Sequence, residues 1–223
     1  MKGRQDLPDR HSVRLGGYDY SLPGAYYATV CTHLRRCTLG KVVGDRVELS
    51  VSGRIVEEEW LRSPQIRPDI VLDDFRVMPN HLHAIFFIVG AHGYAPAASA
   101  HGHAPASSGS RPHAPANASA LHRAPRSVGS FVGGFKGQCT SRINSFRRTP
   151  GAAVWQRGFW EHIIRDDEDL SHAREYIRNN PARWAEDRNN PSYLHKTGYA
   201  HPPADYVPPG SPYDHADERE HRW

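Results

Sequence analysis

The chain has 223 residues, 38% of them hydrophobic, enough to bury one packed core and too few for a second full domain. No run of about 18 apolar residues exists, which excludes a membrane-spanning helix, and three cysteines without a C-x-x-C pair argue against a disulfide framework or a cysteine-rich zinc site. The net charge of +4 is unevenly spread: residues 75–160 hold nine Lys or Arg and no Asp or Glu, the composition of a surface that attracts polyanions.

Residues 1–20 are polar, rich in Arg, Asp and Gly, and read as an arm. Met1-Lys2-Gly3-Arg4 lacks the apolar core of a signal peptide, so a cytoplasmic location is expected, with no membrane partner. Ala25–His33 is rich in aromatic and β-branched residues and predicts a strand, and Arg46–Leu49 a weaker one. Ser50 or Ser52 caps a helix to about Arg62, with Val51, Ile55, Val56 and Trp60 on one face and Pro64 and Pro68 ending it. Ile70–Val77 and His81–Val89 flank a turn at Pro79-Asn80 and predict an antiparallel hairpin.

Ala91–Arg126 is dominated by Ala, Pro, Ser, Gly and His, in near-repeats such as His101-Gly102-His103-Ala104-Pro105-Ala106. So few large apolar groups cannot offset ordering entropy, and the segment reads as a disordered insertion whose histidines are compositional. Beyond it, Val128, Phe131, Val132, Phe135, Cys139, Ile143 and Phe146 recur at helical spacing, although each of several glycines costs a helix ~1 kcal/mol. Glu161–Arg165 predicts a short strand. Asp166, Asp167 or Asp169 then caps a helix ending at Asn180-Pro181. The domain is expected over 21–195, followed by a Pro-rich acidic tail at 196–223.

Two segments carry candidate chemistry. A strand period of two puts His81 and His83 on one face of a buried strand, where two imidazoles need either hydrogen-bond partners or a metal. Fifteen histidines in 223 positions produce about one His-x-His by chance, so the spacing alone leaves core histidines and ligands both open. Tyr176 and Asn180 are one helical turn apart on a common face. Read from the residues, Tyr176 is either an amphipathic aromatic or a nucleophile, and Asn180 either a helix terminus or a ligand.

Gly17-Tyr18-Asp19-Tyr20, Tyr27-Ala28-Thr29-Val30-Cys31-Thr32, Met78-Pro79-Asn80-His81-Leu82-His83, Val154-Trp155-Gln156-Arg157, Glu161-His162-Ile163-Ile164-Arg165 and Tyr176-Ile177-Arg178-Asn179-Asn180-Pro181 together resemble the REP-associated tyrosine transposases. These are bacterial relatives of single-tyrosine insertion-sequence transposases in the HUH endonuclease superfamily. The likeness covers about residues 10–195 without the insertion. It implies an α/β (α+β) ferredoxin-like sandwich with a central antiparallel sheet and helices on one face. It also implies a nucleoid-associated enzyme that cuts and rejoins single-stranded or hairpin DNA through a 5′-phosphotyrosine.

By the same resemblance Tyr176 is the nucleophile, and His81, His83 and Asn180 hold Mg²⁺ or Mn²⁺. Asn180 stands where relatives often carry the longer glutamine, and His162 is a possible substitute ligand or DNA contact. Arg123, Arg126, Lys136, Arg142, Arg147, Arg148 and Arg157 are the expected DNA contacts, and Trp155, Phe159 or Trp160 is available for base stacking. A hairpin-binding protein without catalysis and a two-histidine phosphodiesterase that uses water are the competing readings. Whether the chain acts as a monomer or a homodimer is left open by its sequence.

Overall fold

The computed structural model describes residues 18–90, 126–187 and 189–193. Most of the expected arm, the His-rich insertion up to residue 125 and the acidic tail lie outside these residues. The central sheet has four antiparallel strands in the order β4-β5-β1-β6: β1 (Gly24–Cys31), β4 (Ile70–Val77), β5 (His81–Ile88) and β6 (Trp160–Ile164). β2 (Gly40–Val43) and β3 (Arg46–Leu49) form a separate ribbon that turns at Gly44, whose φ of +63° suits a residue without Cβ. The helices are α1 (Val51–Ile66), α2 (Val128–Arg147) and α3 (Asp167–Asn179). Among the described residues, no helix is long and apolar enough to cross a membrane.

Both faces of β1 and β5 are covered, which explains their nearly continuous apolar composition. Tyr26, Ala28, Val30, Leu82, Ala84 and Phe86 pack under α1 and α2 in the main core, where Trp60 meets Phe86, Phe131 and Phe135. Tyr27, Ile85, Trp160 and Ile164 face the other way and meet Ala173 and Ile177 of α3. The expected antiparallel sandwich is present, with one correction to its layering. The helices occupy both faces, because alternation along the central strands leaves an apolar stripe on each side.

α1 starts at Ser50, whose Oγ accepts from Gly53 N at 3.1 Å, and passes through Pro64 to Ile66. Pro64 does not end it as expected; the missing N–H falls in the last turn, and Ser63 Oγ donates to Glu59 O nearby. At Gly53 a Cβ would overlap Leu39 O, so the glycine lets the helix meet the preceding loop. In α2 the packing of Val128, Phe131, Val132, Phe135, Cys139 and Ile143 outweighs the glycines, whereas Phe146, expected on the same stripe, is 57% exposed. α3 is capped by Asp166, which accepts from Asp169 N at 2.8 Å.

β4 carries an irregularity. Leu72 pairs with Phe86 and Phe75 with Ala84, so Asp73 and Asp74 together stand opposite Ile85. This is a β-bulge, and it shifts the side-chain alternation by one: Ile70 and Leu72 join the main core before it, Phe75 and Val77 after it.

A candidate metal and tyrosine site

His81 and His83 open β5, opposite Cys31 and Thr29 of β1, and both are fully buried. Asn80 Nδ2 donates to Arg35 O (2.9 Å) and Asn189 O (2.6 Å), so its Oδ1 faces His81, and His81 Nδ1–H donates to it at 2.8 Å. The Nε2 of His81 therefore presents a lone pair, aimed at His83 Nε2 2.9 Å away. On its other side, His83 Nδ1 meets the Tyr27 hydroxyl at 2.6 Å and the Thr29 hydroxyl at 2.9 Å. Hydroxyls donate or accept, so His83 can hold its proton on either nitrogen. With the proton on Nδ1, both Nε2 lone pairs converge on one point.

Burial, then the neighbouring His83 and Arg35, hold the His81 imidazole well below its ordinary range; burial takes His83 down to about 3. Both rings are thus neutral, the form that ligates metals. Asp187, after the short 3-10 turn Trp184–Glu186, places Oδ2 3.9 Å from His81 Nε2. Burial raises its carboxyl to about 6, against the Asn189 bonds, the Arg35 charge and the Asn180 side chain. His81, His83 and Asp187 each bring one ligand atom within 4.8 Å of the others.

Two buried oxygens here, Asp187 Oδ2 and Asn180 Oδ1, have no hydrogen-bond partner among the described residues. Buried orphan acceptors beside two imidazole lone pairs fit a cation. Adjacent ligands of an octahedral Mg²⁺-sized ion, bound at about 2.0–2.1 Å, lie roughly 3 Å apart, near the observed separation of the imidazole nitrogens.

Tyr176 leans on this centre from α3, its ring centroid 5.3 Å from that of His83 at an interplanar angle of 72°. The Trp184 ring lies 6.0 Å from that of His81. Asp187 and Asn80 were missed as functional residues by sequence reasoning. Asn80 sits inside the quoted motif, whereas Asp187 lies beyond the end of α3 and Pro181, where helical spacing from Tyr176 or Asn180 no longer places a side chain.

The remaining expected site residues divide. His162 Nε2–H donates to Asp169 Oδ2 of α3 at 2.9 Å and the ring stacks on Trp160, which makes it a strand-to-helix tie outside the three-residue cluster. Trp155 is a core residue whose indole donates to Lys136 O and which also helps line a groove beside α2. Lys136 Nζ donates to Gln156 O and Gly158 O, and Arg142 is paired with Glu58 and Glu59, which removes its charge from the free cations. Arg126, Arg147, Arg148 and Arg157 are exposed, and Arg123 lies outside the described residues.

Lys136, Thr140, Ser141, Arg148, Trp155 and Arg157 help line a groove of about 830 Å³ between α2 and the loop before β6, and no carboxylate lines it. The loop is tied to the end of β1 by His33 N–H to Val154 O (2.8 Å) and Gln156 N–H to Cys31 O (3.0 Å). Cys31 pairs with His81, so the loop and the histidines lie at the same end of the sheet.

No family model matches the chain. It is 31% identical over 181 residues to an uncharacterized protein of Haemophilus influenzae, covering 80% of this chain and 92% of that one. Its fold is shared with a solved REP-associated tyrosine transposase bound to a REP hairpin, at a TM-score of 0.50, 19% identity, and coverage of 88% and 92% of the two chains. A candidate REP-associated tyrosine transposase of Haemophilus influenzae is 53% identical over 32 residues, 14% of this chain and 18% of its own length. The chain thus resembles the REP-associated tyrosine transposases in fold and over that short stretch. The His-x-His strand and the tyrosine helix, on which the resemblance read from the sequence rests, lie against one another here.

Proposed function

We propose that the chain is a divalent-metal-dependent endonuclease and strand transferase for single-stranded, hairpin-bearing DNA, with Tyr176 as nucleophile. The observation that carries this reading is the contact of the Tyr176 ring with His83, whose Nε2 points into the candidate metal centre. His81, His83 and Asp187 would hold Mg²⁺ or Mn²⁺, with Asn180, whose side chain neighbours Asp187, as a further candidate ligand. The bound cation would supply Lewis-acid stabilisation of charge on the scissile phosphate.

The chain's own groups do the rest. The phenol oxygen of Tyr176 bonds to phosphorus as the bond to the 3′ oxygen breaks, leaving a 5′-phosphotyrosine and a 3′-hydroxyl. Attack by a second 3′-hydroxyl on that phosphorus releases Tyr176 and rejoins the strands, with the number of phosphodiester bonds conserved. The carboxylate-free groove supports binding of the DNA backbone, with Arg148 and Arg157 at hand for its phosphates.

The test is a denaturing gel of labelled hairpin DNA incubated with the protein and Mn²⁺. A covalent adduct that disappears in Tyr176→Phe is expected. Binding without an adduct would leave a recognition protein, and cleavage that persists in Tyr176→Phe would make water the nucleophile.

A further inference from the structure

The tyrosine helix has a thin apolar anchor. Of the 13 residues in α3, only Ala173 and Ile177 are fully buried, Leu170 and Tyr176 pack partly buried beside them, and ionic contacts add to this attachment. At its first turn Asp169 meets His162 of β6 (2.9 Å) and Arg165 N (3.0 Å). Further along, Arg174 grips Asp73 with Nε at 2.9 Å and Nη2 at 2.5 Å, and Arg178 Nε lies 2.7 Å from Asp74 Oδ2. The helix therefore crosses the sheet from β6, at one edge, to β4, at the other. Tyr176 lies between the two arginines in sequence and over β5 in space.

Consecutive residues of a regular strand point to opposite faces, so one of two adjacent aspartates would enter the main core under α1 and α2. The bulge opposite Ile85 removes that conflict: both carboxylates reach arginines of α3, one turn apart. We propose that Asp73 and Asp74 are positioning residues, and that the β4 bulge turns this acid pair toward Arg174 and Arg178 to fix Tyr176 in register with His83. The proposal rests on the functional reading above for its catalytic consequence, and on the fold alone for its mechanical one.

The test uses Asp73→Asn/Asp74→Asn in the full chain, with Asp73→Glu as a conservative variant. Hydrogen exchange of the α3 amides should speed up at least tenfold while the β5 amides keep their protection, which also shows that the protein folds. With hairpin DNA and Mn²⁺, the maximal rate of adduct formation should fall about tenfold with DNA affinity within twofold, and Asp73→Glu should recover part of that rate. Unchanged α3 exchange would overturn the proposal, as would adduct formation at the native rate or a loss carried entirely by DNA affinity. If no adduct forms even with the native chain, the functional reading fails, while the exchange result still decides the tether.

Discussion

Asn80 decides which nitrogen of His81 is available. Its amide is fixed by two backbone carbonyls, so the oxygen can only accept from Nδ1, and Nε2 is left for the cluster. Groups that orient a ligating histidine in this way typically alter metal affinity by about 10–100-fold. Asn80→Ala is expected to weaken Mn²⁺ binding within that range, read by calorimetry or by the electron paramagnetic resonance of free Mn²⁺. Asp187→Ala should weaken it at least as much while leaving hairpin DNA binding intact. At this scale the sequence was legible where chemistry follows a period. His81 and His83 share a face by strand alternation, and Tyr176 and Asn180 by helical spacing. Asp187 was not legible, because its position depends on a short 3-10 turn and on Asn189 bridging Arg35 and Asn80, contacts made across 154 and 109 residues.

Most elements appeared within a few residues of their expected ends, since hydrophobic period and capping residues are local signals. The β2 strand and the passage of α1 through Pro64 were not foreseen, because a short exposed ribbon has a weak apolar pattern and a proline in a last turn costs little. The β4 bulge was written in the sequence and unread: Ile70, Leu72, Phe75 and Val77 keep a period of two except for one step of three. Two predictions belong to elements. Gly53→Ala sets a methyl against Leu39 O and should destabilise the fold by more than ~2 kcal/mol in urea unfolding. Acid should loosen α3 before the sheet. Burial raises the Asp73 and Asp169 carboxyls, but their bonds to Arg174 and His162 outweigh it and hold both below the ordinary range. Groups depressed in the folded state stabilise it above their unfolded value of about 3.9 and lose that contribution as pH falls through the folded one. Hydrogen exchange of α3 should therefore rise below about pH 4.

For the whole molecule, the absence of carboxylates is spatial as well as sequential in one part of residues 75–160, since residues 136–157 of α2 and the loop before β6 line one groove without a carboxylate. Composition could not show which of its cations are already engaged. Replacing Arg147, Arg148 and Arg157 by alanine together should make the salt dependence of hairpin binding shallower, by about 0.7–0.9 in log–log slope for each phosphate no longer neutralised. Arg142→Ala should leave the slope unchanged and lower stability instead, because Glu58 and Glu59 hold that charge. Excising residues 95–120, expected to be a passive insertion, should leave both thermal stability and adduct formation within error of the native chain.

The ties of α3 have a kinematic consequence. A rod fastened near one end to one rim of a plate, and at two further points to the opposite rim, can neither roll nor slide without breaking a fastening. The phenol of Tyr176 thus inherits its place from the sheet, and a change in sheet twist would move nucleophile and histidines as a single rigid frame.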